Sequence, residues 1–184
     1  MEKKTDGKIS TRQMTACALM AVAMCVCSWL SVPTPVPFTM QTFAVFSALL
    51  LLGGRLGLIS LAVYVLLGAV GLPVFSGFTG GVGRLIGPTG GYILGFFIMA
   101  LLYWLLERRC EGSRVKKLLS LVLGLLLCYA FGTAWYVRVY ALGGGVISLG
   151  GALMGCVVPF ILPDAIKLAL AMWVAGMLKK YIKY

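Results

Sequence analysis

The sequence predicts an all-α integral membrane protein with six transmembrane helices, and three observations carry that prediction. Apolar residues make up 61% of the 184 positions, and the mean hydropathy is +1.01. No water-soluble domain of this size stays in solution with so little polar surface. Apolar runs recur near residues 14–30, 38–52, 56–71, 90–106, 118–140 and 152–178, close to the roughly 20 residues that a bilayer core needs. The net charge of +11 sits in short ends and alternate loops between those runs. Basic residues so dispersed are topology signals and not a nucleic-acid surface, so no nucleic-acid partner is expected.

Each run has its own signature. The first, 14–30, follows a Lys-rich start but is succeeded by further apolar runs, so it reads as an uncleaved span and not a signal peptide. The second and third, 38–52 and 56–71, are short and call for tilt or local thinning of the bilayer. Gly53, Gly54 and Gly57 between them read as turn formers. The fourth and fifth, 90–106 and 118–140, are of ordinary length, and Gly91 with Gly95 forms a close-packing GxxxG pair, as does Gly151 with Gly155 later. The last, 152–178, is long and interrupted by Pro159 and Pro163. Proline cannot donate a backbone hydrogen bond, so 152–162 is expected as a separate short or broken helix, with the final span starting near Pro163.

Orientation follows from the cations. Lys3, Lys4, Lys8 and Arg12 precede the first span, Arg55 lies between the second and third, and Arg108, Arg109, Arg114, Lys116 and Lys117 separate the fourth and fifth. Lys179, Lys180 and Lys183 close the chain. This alternation predicts both termini in the cytoplasm and one membrane domain over 1–184. The opposite loops, near 31–37, 72–89 and 141–151, carry only Arg84. They are rich in glycine and proline (TPVPF, PVFSGFTGGVGRLIGPTGGY and ALGGGVISLGG) and suit a lid over a pocket. The 72–89 connection is too long for a turn and too apolar for disorder.

Several chemistries are excluded. The chain has no histidine, which removes Ser-His-Asp, Cys-His and HExxH sites. It has no GxxxxGKS/T phosphate loop, so any ATP hydrolysis must come from a partner. Cys17, Cys25, Cys27, Cys110, Cys128 and Cys156 show no CxxC spacing, and all but Cys110 lie in apolar stretches. Neither a disulfide, a metal nor any cofactor is expected. A membrane enzyme would need a catalytic acid or metal cluster that is not there.

Asp164 stands out as the one carboxylate inside an apolar run, with Lys167 three residues on. An ionisable group at such depth costs roughly 3 kcal/mol on insertion scales, so it needs a partner or a task. Helical spacing puts both side chains on one face. They either neutralise one another and brace a helix end, or grip a polar solute. Asp164 is expected at the start of the last span, near the glycine-rich loops, where the positive end of the helix dipole also favours it. Arg84 and Arg138 approach the same side and suit an anionic ligand, although Arg138 equally fits interface snorkelling. On the first span, Cys17, Ala21 and Cys25 recur every fourth residue and make a smooth face, for internal packing or for a second subunit.

Three stretches carry a family resemblance: VPFTMQTF from Val36 to Phe43, GAVGLPVFSGFTGGVGRLIGPTGGYILGF from Gly68 to Phe96, and PFILPDAIK from Pro159 to Lys167. In these the chain resembles the BioY proteins, the biotin-binding S components of energy-coupling factor (ECF) transporters. It departs from the family in having Leu162 and Pro163 before the aspartate, where Pro-Gly is common. The resemblance implies a six-helix S-component fold in a prokaryotic cytoplasmic membrane and an outward-facing biotin pocket. It implies docking on a transmembrane coupling subunit and two cytoplasmic ATPases, through small residues of the first helix: here Cys17, Ala21 and Cys25. Asp164 would accept from the ureido N–H groups of biotin, and Lys167 or Arg84 would pair with its carboxylate. Gln41, Thr79, Thr89 and Tyr92 are further hydrogen-bonding candidates, and Phe38, Phe75 and Tyr136 are candidate apolar walls. A stand-alone biotin facilitator, and an S component for another small anionic vitamin, remain as alternatives.

Overall fold

Helix α1 (Thr11–Trp29) starts where Ser10 and Gln13 cap it reciprocally: the Ser10 hydroxyl accepts from the Gln13 amide N–H, and the Gln13 side chain accepts from the Ser10 N–H at 3.0 Å. A two-residue antiparallel hairpin, β1 (Ser31–Val32) with β2 (Phe38–Thr39), leads into α2 (Gln41–Leu52) and α3 (Gly54–Ala69). After these come a short α4 (Val82–Ile86), α5 (Gly90–Glu107), a 3₁₀ turn at Arg108–Cys110, α6 (Arg114–Leu142), α7 (Leu149–Cys156) and α8 (Val158–Leu178). This computed structural model describes residues 9–34, 36–110 and 113–181. Lys3, Lys4, Lys8 and Lys183, read above as topology signals, lie outside the described residues, as does the side chain of Cys110.

Every predicted apolar run has become helix. Among the described residues, four segments are long and apolar enough to cross a membrane: Thr11–Trp29, Gly90–Glu107, Arg114–Leu142 and Leu149–Leu178. Helices α2 and α3 are apolar but shorter. Every residue of α2 except Phe43 is buried, so α2 is the central element, packed against α8, α3 and α1. At about 1.5 Å per residue it is only about 18 Å long. Its neighbours shield it on nearly every side.

The bundle has two unlike ends. Arg12, the α2–α3 junction, the start of α6 and Lys179 lie toward one, the basic end. There Gly53 turns the chain with φ +85°, and the Glu107 carboxylate accepts from the Gly54 N–H at 2.9 Å. A Cβ on Gly54 would collide with the Trp104 Cα, so this glycine is a helix contact as well as part of a turn. Higher in the bundle, Gly91 and Gly95 bring α5 onto α6: a Cβ on Gly95 would lie 2.8 Å from the Cys128 sulfur. Gly155 meets nothing within 4 Å, so the second GxxxG pair does not pack a helix here.

Two expectations need correction. The last apolar run breaks at Val157 and not at Pro163, and α8 runs from Val158. Pro159 occupies the first turn, where its missing N–H leaves no bond unmade, while Pro163 is carried inside the helix. Asp164 is therefore in the second turn of α8, beyond the reach of the helix dipole, and its charge must be held by side chains. The Cys17, Ala21 and Cys25 face, expected to dock a partner, is buried within the chain, and the Cys17 thiol points at the Leu56 carbonyl at 3.5 Å. Small side chains at this spacing let α3 approach α1, which uses the face up internally. The lipid-facing side of α1 carries Met14, Leu19, Val22 and Val26 instead.

Candidate functional site

At the glycine-rich end, opposite the basic one, helices and loops enclose a cavity of about 80 Å³ that is partly open to solvent. Its two polar walls differ in kind.

The wall from α6 and α8 is charged. Lys167 donates to Asp164 Oδ1 at 2.7 Å, and the Tyr129 hydroxyl donates to Asp164 Oδ2 at 2.5 Å, with all three residues buried. Spacing of three residues along α8 brings Lys167 back onto the carboxylate, and α6 supplies the phenol from across the bundle. Lys167 Nζ also lies 4.1 Å from the centre of the Phe38 ring, a cation–π contact that β2 delivers. Both carboxylate oxygens are thus fixed before any ligand arrives, yet an ionised carboxylate has about four acceptor positions. Two remain.

The wall from α2, α3 and the loop after α3 is neutral apart from Arg84 at the loop. Gln41 Nε2 donates to the Tyr64 hydroxyl at 3.1 Å, and that hydroxyl donates to the Val74 carbonyl at 3.3 Å. Ser28 donates to the same carbonyl at 2.6 Å. The loop is seated by Phe75, whose ring occupies the space beside Gly68 and meets Tyr64 edge-on at 5.6 Å. Arg84 crosses the loop tip, its Nε donating to Thr79 Oγ1 at 3.0 Å. On the far side Tyr92 and Thr133 share a hydrogen bond of 3.1 Å between α5 and α6.

Of the residues expected at a binding site, Gln41, Phe75, Arg84, Thr89, Tyr92, Asp164 and Lys167 line the cavity. Three do not. Phe38 lies behind Lys167 as its cation–π partner, and Thr79 holds Arg84 from outside the lining. Tyr136 packs instead in a separate cluster with Val36, Ala152 and Cys156, stacked on Tyr140 at 5.9 Å. Two turns along α6 from Tyr129, its task is to seat α7. Arg138 is exposed and outside the lining. The lining includes Tyr129, Phe160, Cys128 and Ser76, which sequence reasoning did not single out. Tyr129 had one usable signal: it precedes Tyr136 by seven residues, hence lies on the same helical face, two turns away. Among the lining residues, two cations face one carboxylate, a net positive charge inside walls of Ile93, Phe96, Leu125 and Phe160.

This constellation can be set beside known proteins. The sequence profile of the BioY family matches residues 1–184. The chain belongs to the BioY family. It is 42% identical over 170 residues to the biotin transporter BioY of Thermotoga maritima, covering 92% of this chain and 96% of that protein. It is 37% identical over 172 residues to the probable biotin transporter BioY of Pyrococcus horikoshii, covering 93% and 98%. Its fold matches a crystal structure of the S-component for biotin from an ECF-type ABC transporter, with a TM-score of 0.82, 26% identity, and coverage of 94% and 95%. Like these relatives, the BioY chain is a membrane transport protein and not an enzyme.

Proposed function

We propose that this chain captures biotin in the cavity at its glycine-rich end and serves as the S component of an ECF-type importer in the cell membrane. The observation that carries this is the net positive, polar-lined cavity within apolar walls, in a chain related along its whole length to biotin transporters. Biotin offers two ureido N–H donors and a carbonyl at one end, an apolar ring and valeryl chain in the middle, and a carboxylate at the other end. An open acceptor position of Asp164 suits one ureido N–H, and Lys167, already paired with Asp164, suits the ureido carbonyl beside it. Arg84 then suits the biotin carboxylate. A monoanion offsets the charge excess of the lining.

In this reading α2 and α3 are the second and third of six spans in one membrane domain, both termini are cytoplasmic, and the cavity opens outward. The chain has no phosphate loop of its own, so energy comes from a transmembrane coupling subunit and two cytoplasmic ATPases. Because Cys17, Ala21 and Cys25 face inward, the coupling subunit meets the protein elsewhere in this conformation.

The test is uptake of labelled biotin by cells lacking their own biotin transporters, with this chain expressed alone or with a coupling module. Uptake that needs the module supports the proposal. Equal uptake without it leaves a stand-alone facilitator, and uptake of neither kind by a correctly inserted protein overturns the biotin assignment.

A further inference from the structure

The Tyr64 hydroxyl has one proton, and its use fixes more than Tyr64 itself. Tyr64 is fully buried on α3 and does not line the cavity. The proton is donated to the Val74 carbonyl, at 3.3 Å. The hydroxyl oxygen also accepts, from the amide nitrogen of Gln41, at 3.1 Å. Gln41 lines the cavity with Nε2 turned to Tyr64, which leaves Oε1 as an acceptor for an occupant. A side-chain amide without such a partner could present either group.

The same proton ties down the loop. Val74 is held between Tyr64 and Ser28, and its neighbour Pro73 accepts from the Trp29 indole at 2.8 Å. Trp29 also stacks on Phe78, with ring centres 5.2 Å apart. Phe78 is a non-glycine residue at φ +56°, at the tip of a turn closed by the Phe75–Thr79 bridge. That turn holds Ser76 and Thr79, which position Arg84.

We propose that Tyr64 is a positioning residue: through one hydrogen-bond chain it makes Gln41 a fixed acceptor for a donor N–H of the ligand and anchors the outer loop that carries Arg84. The part that concerns Gln41 rests on the biotin reading. The part that concerns the loop does not.

Two measurements test it. In the first, labelled biotin binding is measured for the purified wild type, Tyr64→Phe, Gln41→Met and the double variant. Tyr64→Phe keeps the ring and removes the hydroxyl, and each single change is expected to weaken binding roughly tenfold. The double variant should lose clearly less than the product of the two single losses, because both act in part on one interaction. Losses that multiply to roughly a hundredfold would overturn the coupling, since independent structural damage adds in free energy. In the second, which needs no ligand, the emission component missing from Trp29→Phe is compared between unliganded wild type and Tyr64→Phe. A shifted emission is expected; an unchanged one overturns the loop anchor. Should wild type fold and not bind biotin while this shift is seen, the biotin reading fails and the anchor stands. Should Tyr64→Phe not fold, Gln41→Glu gives the same reading, because a carboxylate there draws the Tyr64 proton away from Val74. The same emission shift is expected, and its absence overturns the anchor.

Discussion

The two polar walls of the cavity solve the same problem by different means. On the α6–α8 side, a buried carboxylate is held by an ammonium and a phenol at 2.7 and 2.5 Å. On the α2–α3 side, neutral groups pass one hydrogen-bond chain from Gln41 through Tyr64 to the backbone of Val74. A buried charge pair is costly to disrupt from one side, because the partner is left charged and dry. A neutral chain loses only the net value of its bonds, about 1 kcal/mol each. The charged wall therefore sets whether the site exists at all, and the neutral wall sets how it is shaped.

That contrast predicts a ranked series of substitutions. Asp164→Leu should have the largest effect: it strands Lys167 in the interior and should cost about 3–5 kcal/mol of stability in detergent, with biotin binding abolished. Adding Lys167→Met should restore much of the thermal stability while leaving binding absent, which separates the structural share of the pair from its ligand-binding share. Tyr129→Phe comes next, since a hydrogen bond to a charged group is worth about 1.5–3 kcal/mol. Isothermal titration with biotin should show affinity falling roughly ten- to a hundredfold. Thr79→Val should be mildest, loosening Arg84 at a cost of about 1 kcal/mol or less, visible chiefly as a faster off-rate. If Thr79→Val proved more damaging than Tyr129→Phe, the division between a decisive charged wall and a shaping neutral wall would be broken.

The same contrast governs what could be read from the chain. Asp164 and Lys167 announce themselves, because no apolar run carries a carboxylate without reason and three-residue spacing fixes their pairing. Their neutral counterparts are silent: Tyr64 and Ser28 are ordinary residues of membrane helices, and only three-dimensional proximity joins Ser28, Tyr64 and Val74. Helix positions followed from hydropathy, and the helical spans match the apolar runs to within a few residues except at the last one. There the two prolines misled, because a proline in the first turn of a helix obstructs nothing, and the actual break at Val157 has no residue signature. The α1 face of Cys17, Ala21 and Cys25 shows the converse limit. Small-residue spacing says that something comes close and is silent on whether it is a partner or the chain's own α3. Gly54 likewise read as a turn, since nothing in its neighbourhood along the chain names Trp104 or Glu107.

The most direct test of the central claim is equilibrium binding of labelled biotin to the purified, detergent-solubilised protein, with Asp164→Asn and Lys167→Ala measured beside the wild type. The account predicts saturable binding at one biotin per chain by the wild type, and weakening by at least about 1 to 3 kcal/mol in each variant. A well-folded wild type that does not bind biotin, or variants that bind it as tightly as the wild type does, would contradict it.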